Sequence, residues 1–143
     1  MCPQWILVDN STKLEDCKSL VLLAMGPVTA QKLAQWQENY LIGHPYQLWS
    51  WMQNEQLLGI FGLKQDGETN YITHIAVSVK HRHQGIGSQM VRDMVKNFPA
   101  RLWMAQTDDE ALGFYQSLGF ATRILGHQPR GFRVRYWCVL ANS

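Results

Sequence analysis

The sequence predicts a single mixed α/β (α+β) domain: a mostly antiparallel central sheet of about seven strands with about four flanking helices. Three observations predict it. Apolar spacing switches repeatedly between the strand period and the helix period. Residues 45–79 carry three strand-like runs separated by turn signals. No internal repeat, low-complexity tract or Pro/Ser-rich linker divides the 143 residues, so one domain spans 1–143.

The elements follow in order. Gln4 to Val8 is a short apolar run and reads as a first strand. Ser11 or Thr12 is the expected cap of a helix, with Glu15 closing a capping box. Leu14, Cys17, Val21, Ala24 and Met25 share one face of it, and Gly26-Pro27 ends it. A second helix covers Thr29 to Glu38. Pro45 to Gln53 alternates, with Tyr46, Leu48, Ser50 and Met52 on one face and Gln47, Trp49 and Trp51 on the other. Gln56 to Leu63 is nearly all apolar, as in a strand buried on both faces. Asp66-Gly67 is a hairpin turn into a third strand, Asn70 to Val79. Ile86, Met90, Val91, Met94 and Val95 recur at helical spacing until Pro99. A short strand, Arg101 to Ala105, leads to a second capping box, Thr107 with Glu110, and a helix striped by Ala111, Phe114, Tyr115 and Leu118. Phe120 to Leu125 and Phe132 to Leu140 are the last strands.

Composition narrows the function. Hydrophobic residues at 46% and charged residues at 17% are a globular balance. The longest stretch free of Asp, Glu, Lys and Arg is Asn39 to Asn54, and Pro45 and polar side chains interrupt it, so no membrane span is expected. The N-terminus does not read as a signal peptide. Cys2, Cys17 and Cys138 have neither metal nor redox spacing; three free thiols predict a reducing, cytoplasmic setting. The net charge of +2 is uneven: residues 1–79 hold four bases and seven acids, residues 80–143 nine bases and four acids. The basic half suits an anionic ligand. No run of Lys and Arg points to nucleic acid.

The informative stretch is His81-Arg82-His83-Gln84-Gly85-Ile86-Gly87-Ser88, between a strand and a helix. Its two glycines let backbone approach a ligand, and the free N–H groups of a helix start favour an anion. Met90 excludes the Rossmann fingerprint, and the absence of a Lys after Gly87 excludes the Walker loop. A glycine-rich turn with no ligand also accounts for the stretch taken alone.

Two motifs together resemble the N-acetyltransferases of the GNAT superfamily. Arg82-x-x-Gly85-x-Gly87 is similar to its acyl-CoA loop, and Ala111, Phe114, Tyr115, Gly119 and Phe120 match its A-x-x-F-Y-x-x-x-G-F signature. The resemblance covers about residues 47–120 and implies the GNAT fold, acetyl-CoA as acetyl donor and transfer to a primary amine. It implies that the strand before the loop splays from its neighbour. Pantetheine would pair with Ile75 and Val77, the amide at or near Val77 (with Ala76 beside it) would polarise the thioester carbonyl, and Arg82, His83, Gln84, Gly85, Ile86, Gly87 and Ser88 would hold the pyrophosphate. It makes Tyr115 the acid that protonates the leaving thiolate, although Tyr115 also lies on an apolar stripe and packing alone would place it there. Where the family often has Asn, this chain has Asp108, which a helix start would also favour.

The base is open. Many relatives use a Glu on the strand before the loop; here Tyr71, Thr73 and His74 stand there and Glu68 at its start. His74 titrates in the right range, a packed histidine is the alternative, and a base relayed by water is a third reading. The acceptor site is expected from the first helical region and the stretch Glu38 to His44, with Trp36, Glu38, Tyr40 and Trp49 as a wall for a cationic small-molecule or peptide amine. No metal is expected, and a homodimer is left open. Two other readings remain: a non-catalytic acyl-CoA-binding sensor, and a toxin-type acetyltransferase acting on charged tRNA.

Overall fold

The computed structural model describes residues 2–26, 28–125 and 135–141. The elements run β1 (Gln4–Leu7), α1 (Ser11–Met25), α2 (Ala30–Ile42), β2 (Tyr46–Gln53), β3 (Gln56–Asp66), β4 (Thr69–Val77), α3 (Ile86–Asn97), β5 (Leu102–Thr107), α4 (Asp109–Ser117), β6 (Ala121–Ile124) and β7 (Tyr136–Ala141). The seven strands form one sheet in the order β1-β2-β3-β4-β5-β7-β6. β4 and β5 run parallel; the other neighbouring pairs are antiparallel.

The helices divide between the two faces. Leu14, Cys17 and Val21 of α1 and Tyr40 of α2 pack on Leu48, Ile60 and Ala76. On the other face Val91 and Met94 of α3 and Tyr115 of α4 pack on Phe61, Leu63, Ile72 and Trp103. β3 lies between these layers, and Leu58 to Leu63 are all buried, as its unbroken apolar run predicts. Each fully buried large side chain there stabilises the fold by roughly 1.5–3 kcal/mol.

Several boundaries differ from expectation; β3 extends to Asp66 and β5 to Thr107. Asn10, not Ser11 or Thr12, caps α1: its side chain accepts a hydrogen bond from Lys13 N at 2.9 Å, so Glu15 closes no capping box around a serine or threonine. α2 runs past Glu38 to Ile42, because Leu33, Trp36 and Tyr40 continue its apolar stripe; Gly43, at φ 83°, ends it. Asp108, not Thr107, caps α4, its Oδ1 accepting from Glu110 N and Ala111 N. β4 stops at Val77, and Val79–His81 form a single tight 3-10 turn. In the last expected strand, residues 132–134 lie outside the described residues.

Candidate active site

The site begins where two parallel strands part. β4 pairs with β5 from Thr69 opposite Leu102 to Ile72 opposite Ala105. Beyond that point Thr73 to Val77 follow β3 alone, and Gln106 and Thr107 follow β7 alone. A β-bulge sits at the fork: Leu63 pairs with Ile72 and Gly62 with His74, leaving Thr73 as the extra residue. Such a bulge bends its strand and re-aims side chains. Ser78 N donates to Leu58 O at 2.8 Å, toward β3. Backbone groups alternate along a strand, so the N–H and C=O of Ile75 and Val77 face the wedge, where β5 offers them no partner.

The loop closes the outer end. Gly85 caps α3 in the left-handed conformation at φ 74°, and His83 shares that region at φ 62°. The helix's first internal bond is Gln89 N to Gly85 O, so the N–H groups of Ile86, Gly87 and Ser88 precede the ladder, and no side chain of the capping residue covers them. A Cβ at Gly85 would have no protein atom within 4 Å. A Cβ at Gly87 would come 3.3 Å from the Phe114 ring and 3.6 Å from Val77, so this glycine lets α3 start against both α4 and β4. Arg82, His83 and Gln84 are exposed beside these groups. The arrangement is a backbone cradle suited to an anion.

At the inner end of the wedge lies a cavity of about 580 Å³ that brings His74 of β4 and Tyr115 of α4 into one space, with Trp36, Thr73, Ile75 and Phe114 on its walls. Tyr115 is 5% exposed. Burial, with Cys138 as a smaller influence, raises its ionisation well above the ordinary phenol, so it keeps its proton at neutral pH. Burial pushes His74 down to about 4, so its imidazole is neutral at pH 7.

His74 is held by a residue from another layer. The Tyr40 hydroxyl lies 2.5 Å from His74 Nδ1 and 2.6 Å from Thr73 Oγ1. That leaves Nε2 as the ring nitrogen without this partner. The bulge brings Thr73 and His74 to one hydroxyl, and Gly62 makes the room: a Cβ there would fall on the Tyr40 hydroxyl and on Thr73 Oγ1. The Trp36 ring meets the imidazole edge to face at 4.6 Å.

The expected acceptor wall is not assembled. Trp36 lines the cavity. Tyr40 is 1% exposed and belongs to the core, reaching the site only through its hydroxyl. Trp49 projects to the opposite face and packs on Phe98, ring centroids 5.0 Å apart, because β2 alternates and Trp49 is out of phase with Leu48. Glu38 is exposed and lines neither this cavity nor its neighbour. Glu68 pairs with Arg101 at 3.2 Å on the surface. A second cavity of about 470 Å³ adjoins the first, sharing Trp36, Thr73 and Arg135, and adds Tyr46, Lys64, Tyr71 and Trp137. Sequence reasoning missed Lys64, Arg135 and the role of Tyr40. The spacing of Trp36 and Tyr40 was a usable signal for the last, since it carries α2 through residue 40.

No helix among the described residues is long and apolar enough to cross a membrane. Comparison with known proteins gives the family. An uncharacterized N-acetyltransferase of Bacillus methanolicus is 36% identical over 70 residues, covering 48% of this chain and 58% of its own length. The fold matches a GNAT family acetyltransferase of Elizabethkingia anophelis with acetyl-CoA bound, at TM-score 0.72 and 22% identity over 98% of each chain. It also matches the ribosomal-protein-S18-alanine N-acetyltransferase of Escherichia coli, at TM-score 0.74 and 16% identity over 97% of this chain and 93% of that one. Residues 14–120 match the acetyltransferase (GNAT) family, and with both of its motifs set around one parted strand pair, the chain belongs to that family.

Proposed function

We propose that the protein transfers the acetyl group of acetyl-CoA to a primary amine by direct attack within a ternary complex. The observation that carries this reading is the cavity at the β4/β5 fork that Tyr115 and His74 both line, the phenol buried and the imidazole held through Nδ1 by Tyr40. The cradle fits the donor: unpaired N–H groups at Ile86 to Ser88 suit a pyrophosphate, and the wedge-facing amides of Ile75 and Val77 suit an extended amide-bearing arm. Acetyl-CoA supplies an activated thioester there.

The residues divide the work. The Val77 or Ile75 amide, held rigid by β3, donates to the carbonyl oxygen as negative charge develops on it. His74 Nε2 orients the amine and accepts its proton as the nitrogen–carbon bond forms; Nδ1 then donates to Tyr40, which donates to Thr73. Tyr115 gives its proton to the sulfur as the carbon–sulfur bond breaks, and regains one through the solvent-connected cavity. The products are the N-acetylated amine and CoA thiol. An imidazole and a phenol lining one cavity favour an enzyme over a CoA sensor. Free Cys2, Cys17 and Cys138 support a reducing, cytoplasmic setting.

The test is thiol release from acetyl-CoA across a panel of primary amines. The reading expects amine-dependent release with a matching acetylated product. Acetyl-CoA binding without transfer to any amine would favour the sensor.

A further inference from the structure

We infer that the cavity next to His74 is an anion subsite, so that the acceptor is a primary amine carrying a carboxylate or phosphate on an apolar body. This rests on the acetyl-transfer reading. Tyr46, Lys64, Tyr71 and Met104 are cross-strand partners in one row over β2, β3, β4 and β5, so their side chains share a face. All four line the second cavity. Lys64 Nζ sits 5.7 Å from the Tyr46 ring centre and 5.9 Å from that of Tyr71. The aromatic place that would attract a substrate cation is therefore filled by the protein's own ammonium.

The charge around it is one-sided. Arg135 lines both cavities and Lys32 the first. Among the described residues neither Lys64 nor Arg135 has an ion-pair partner. Asp108 is the one carboxylate among the described lining residues, and it is engaged in capping α4. From Ala111 to the end of the chain there is no Asp or Glu. A half-buried ammonium and guanidinium with no ion-pair partner among the described residues favour an anion supplied from outside. Trp36 and Thr73 border both cavities, so an acceptor anchored at Lys64 can extend its amine toward His74. This reading departs from the expectation of a wall for a cationic amine with an apolar body.

The experiment compares acceptors with a common body: phenethylamine, L-phenylalaninamide and L-phenylalanine, with ethanolamine against phosphoethanolamine as the phosphate arm. Turnover is read as kcat/KM, and direct binding to the CoA-loaded and CoA-free protein by ligand-observed NMR. Calorimetry of acetyl-CoA runs alongside. The member bearing the carboxylate or phosphate in at least one arm should exceed the counterpart lacking it by about tenfold or more, and the winning arm identifies the anion. Lys64→Met should flatten the preference with acetyl-CoA affinity unchanged, Lys64→Arg should retain it, and Arg135→Gln should weaken it. A preference below twofold in both arms, no binding of any member, or an intact preference in folded Lys64→Met would overturn the subsite. Equal use of neutral and anionic amines defeats the subsite while acetyl transfer stands. Absent acetyl-CoA binding defeats the transfer reading, and the binding arm still decides the subsite.

Discussion

The two ends of the parted strands are built by different means. At the outer end, Ile75, Val77 and the helix start at Ile86 to Ser88 present main-chain N–H groups, and the side chains mostly keep out of the way. At the inner end, Tyr40, Lys64, His74 and Tyr115 come from α2, β3, β4 and α4 and present side chains. The backbone end needs particular dihedrals and missing Cβ atoms. The side-chain end needs strand register and helix placement.

Breaking the inner end should have the largest effect. Tyr115→Phe is expected to lower kcat by about 10²–10⁴ while acetyl-CoA affinity stays within about threefold, since the phenol acts on the departing sulfur. Steady-state kinetics with calorimetry on one preparation check this. A kcat within about twofold of wild type would reduce Tyr115 to packing.

The outer end should fail through affinity. Gly85→Val places a branched side chain at φ 74° in the open cradle, and should weaken acetyl-CoA binding by about tenfold or more. Gly85→Asn, which tolerates that dihedral, separates strain from obstruction. If Asn binds like Gly while Val does not, strain is the cause; if both lose affinity in folded protein, the cradle is obstructed.

Gly62→Ala sharpens the contrast. It leaves the outer end untouched but drives a methyl into the Tyr40 hydroxyl and Thr73 Oγ1. Overpacking of this kind costs about 1–3 kcal/mol, a loss of several degrees in Tm at this chain length. The acceptor KM should rise while acetyl-CoA affinity holds. A rise in acetyl-CoA Kd equal to the rise in acceptor KM would show that the two ends are not separable.

The smallest effect concerns pH. His74 falls from an ordinary 6.5 to about 4 in the fold. Between these values the unfolded chain binds more protons, so His74's contribution is full above pH 6.5 and is lost as pH falls toward 4. His74→Asn should therefore lose less Tm than wild type between pH 7 and pH 4.5, by about 5 °C, in thermal melts. Equal losses would mean that His74 is not desolvated. The kcat/KM profile above pH 6 should then report the amine's ionisation rather than His74's.

The same contrast explains what was legible. Gly85 and Gly87 could be read because a glycine marks locally where a left-handed turn or a close approach leaves no room for a side chain. Leu58 to Leu63 could be read as a doubly buried strand because its apolar run is continuous. Asp108 could not be separated from Thr107 as a cap, since adjacent residues both suit that role. Tyr40 and His74 are 34 residues apart, and their meeting depends on the bulge at Thr73, which no local spacing encodes. Lys64 meets the rings of Tyr46 and Tyr71 only through the register of three strands. Trp49 suits a ligand wall by its chemistry, but the alternation of β2 sends it to the opposite face, against Phe98.

In the proposed reading, the wedge between β4 and β5 and the start of α3 hold acetyl-CoA through main-chain N–H groups. Titration of the isotope-labelled protein with CoA, followed residue by residue in amide NMR spectra, checks this. The largest shifts should fall on Ile75, Val77, Gly85, Ile86, Gly87 and Ser88, with Lys64 and Tyr71 little moved. Saturable shifts centred on Lys64 and Tyr71, with the amides of Ile75, Val77 and Ile86 to Ser88 unmoved, would contradict it.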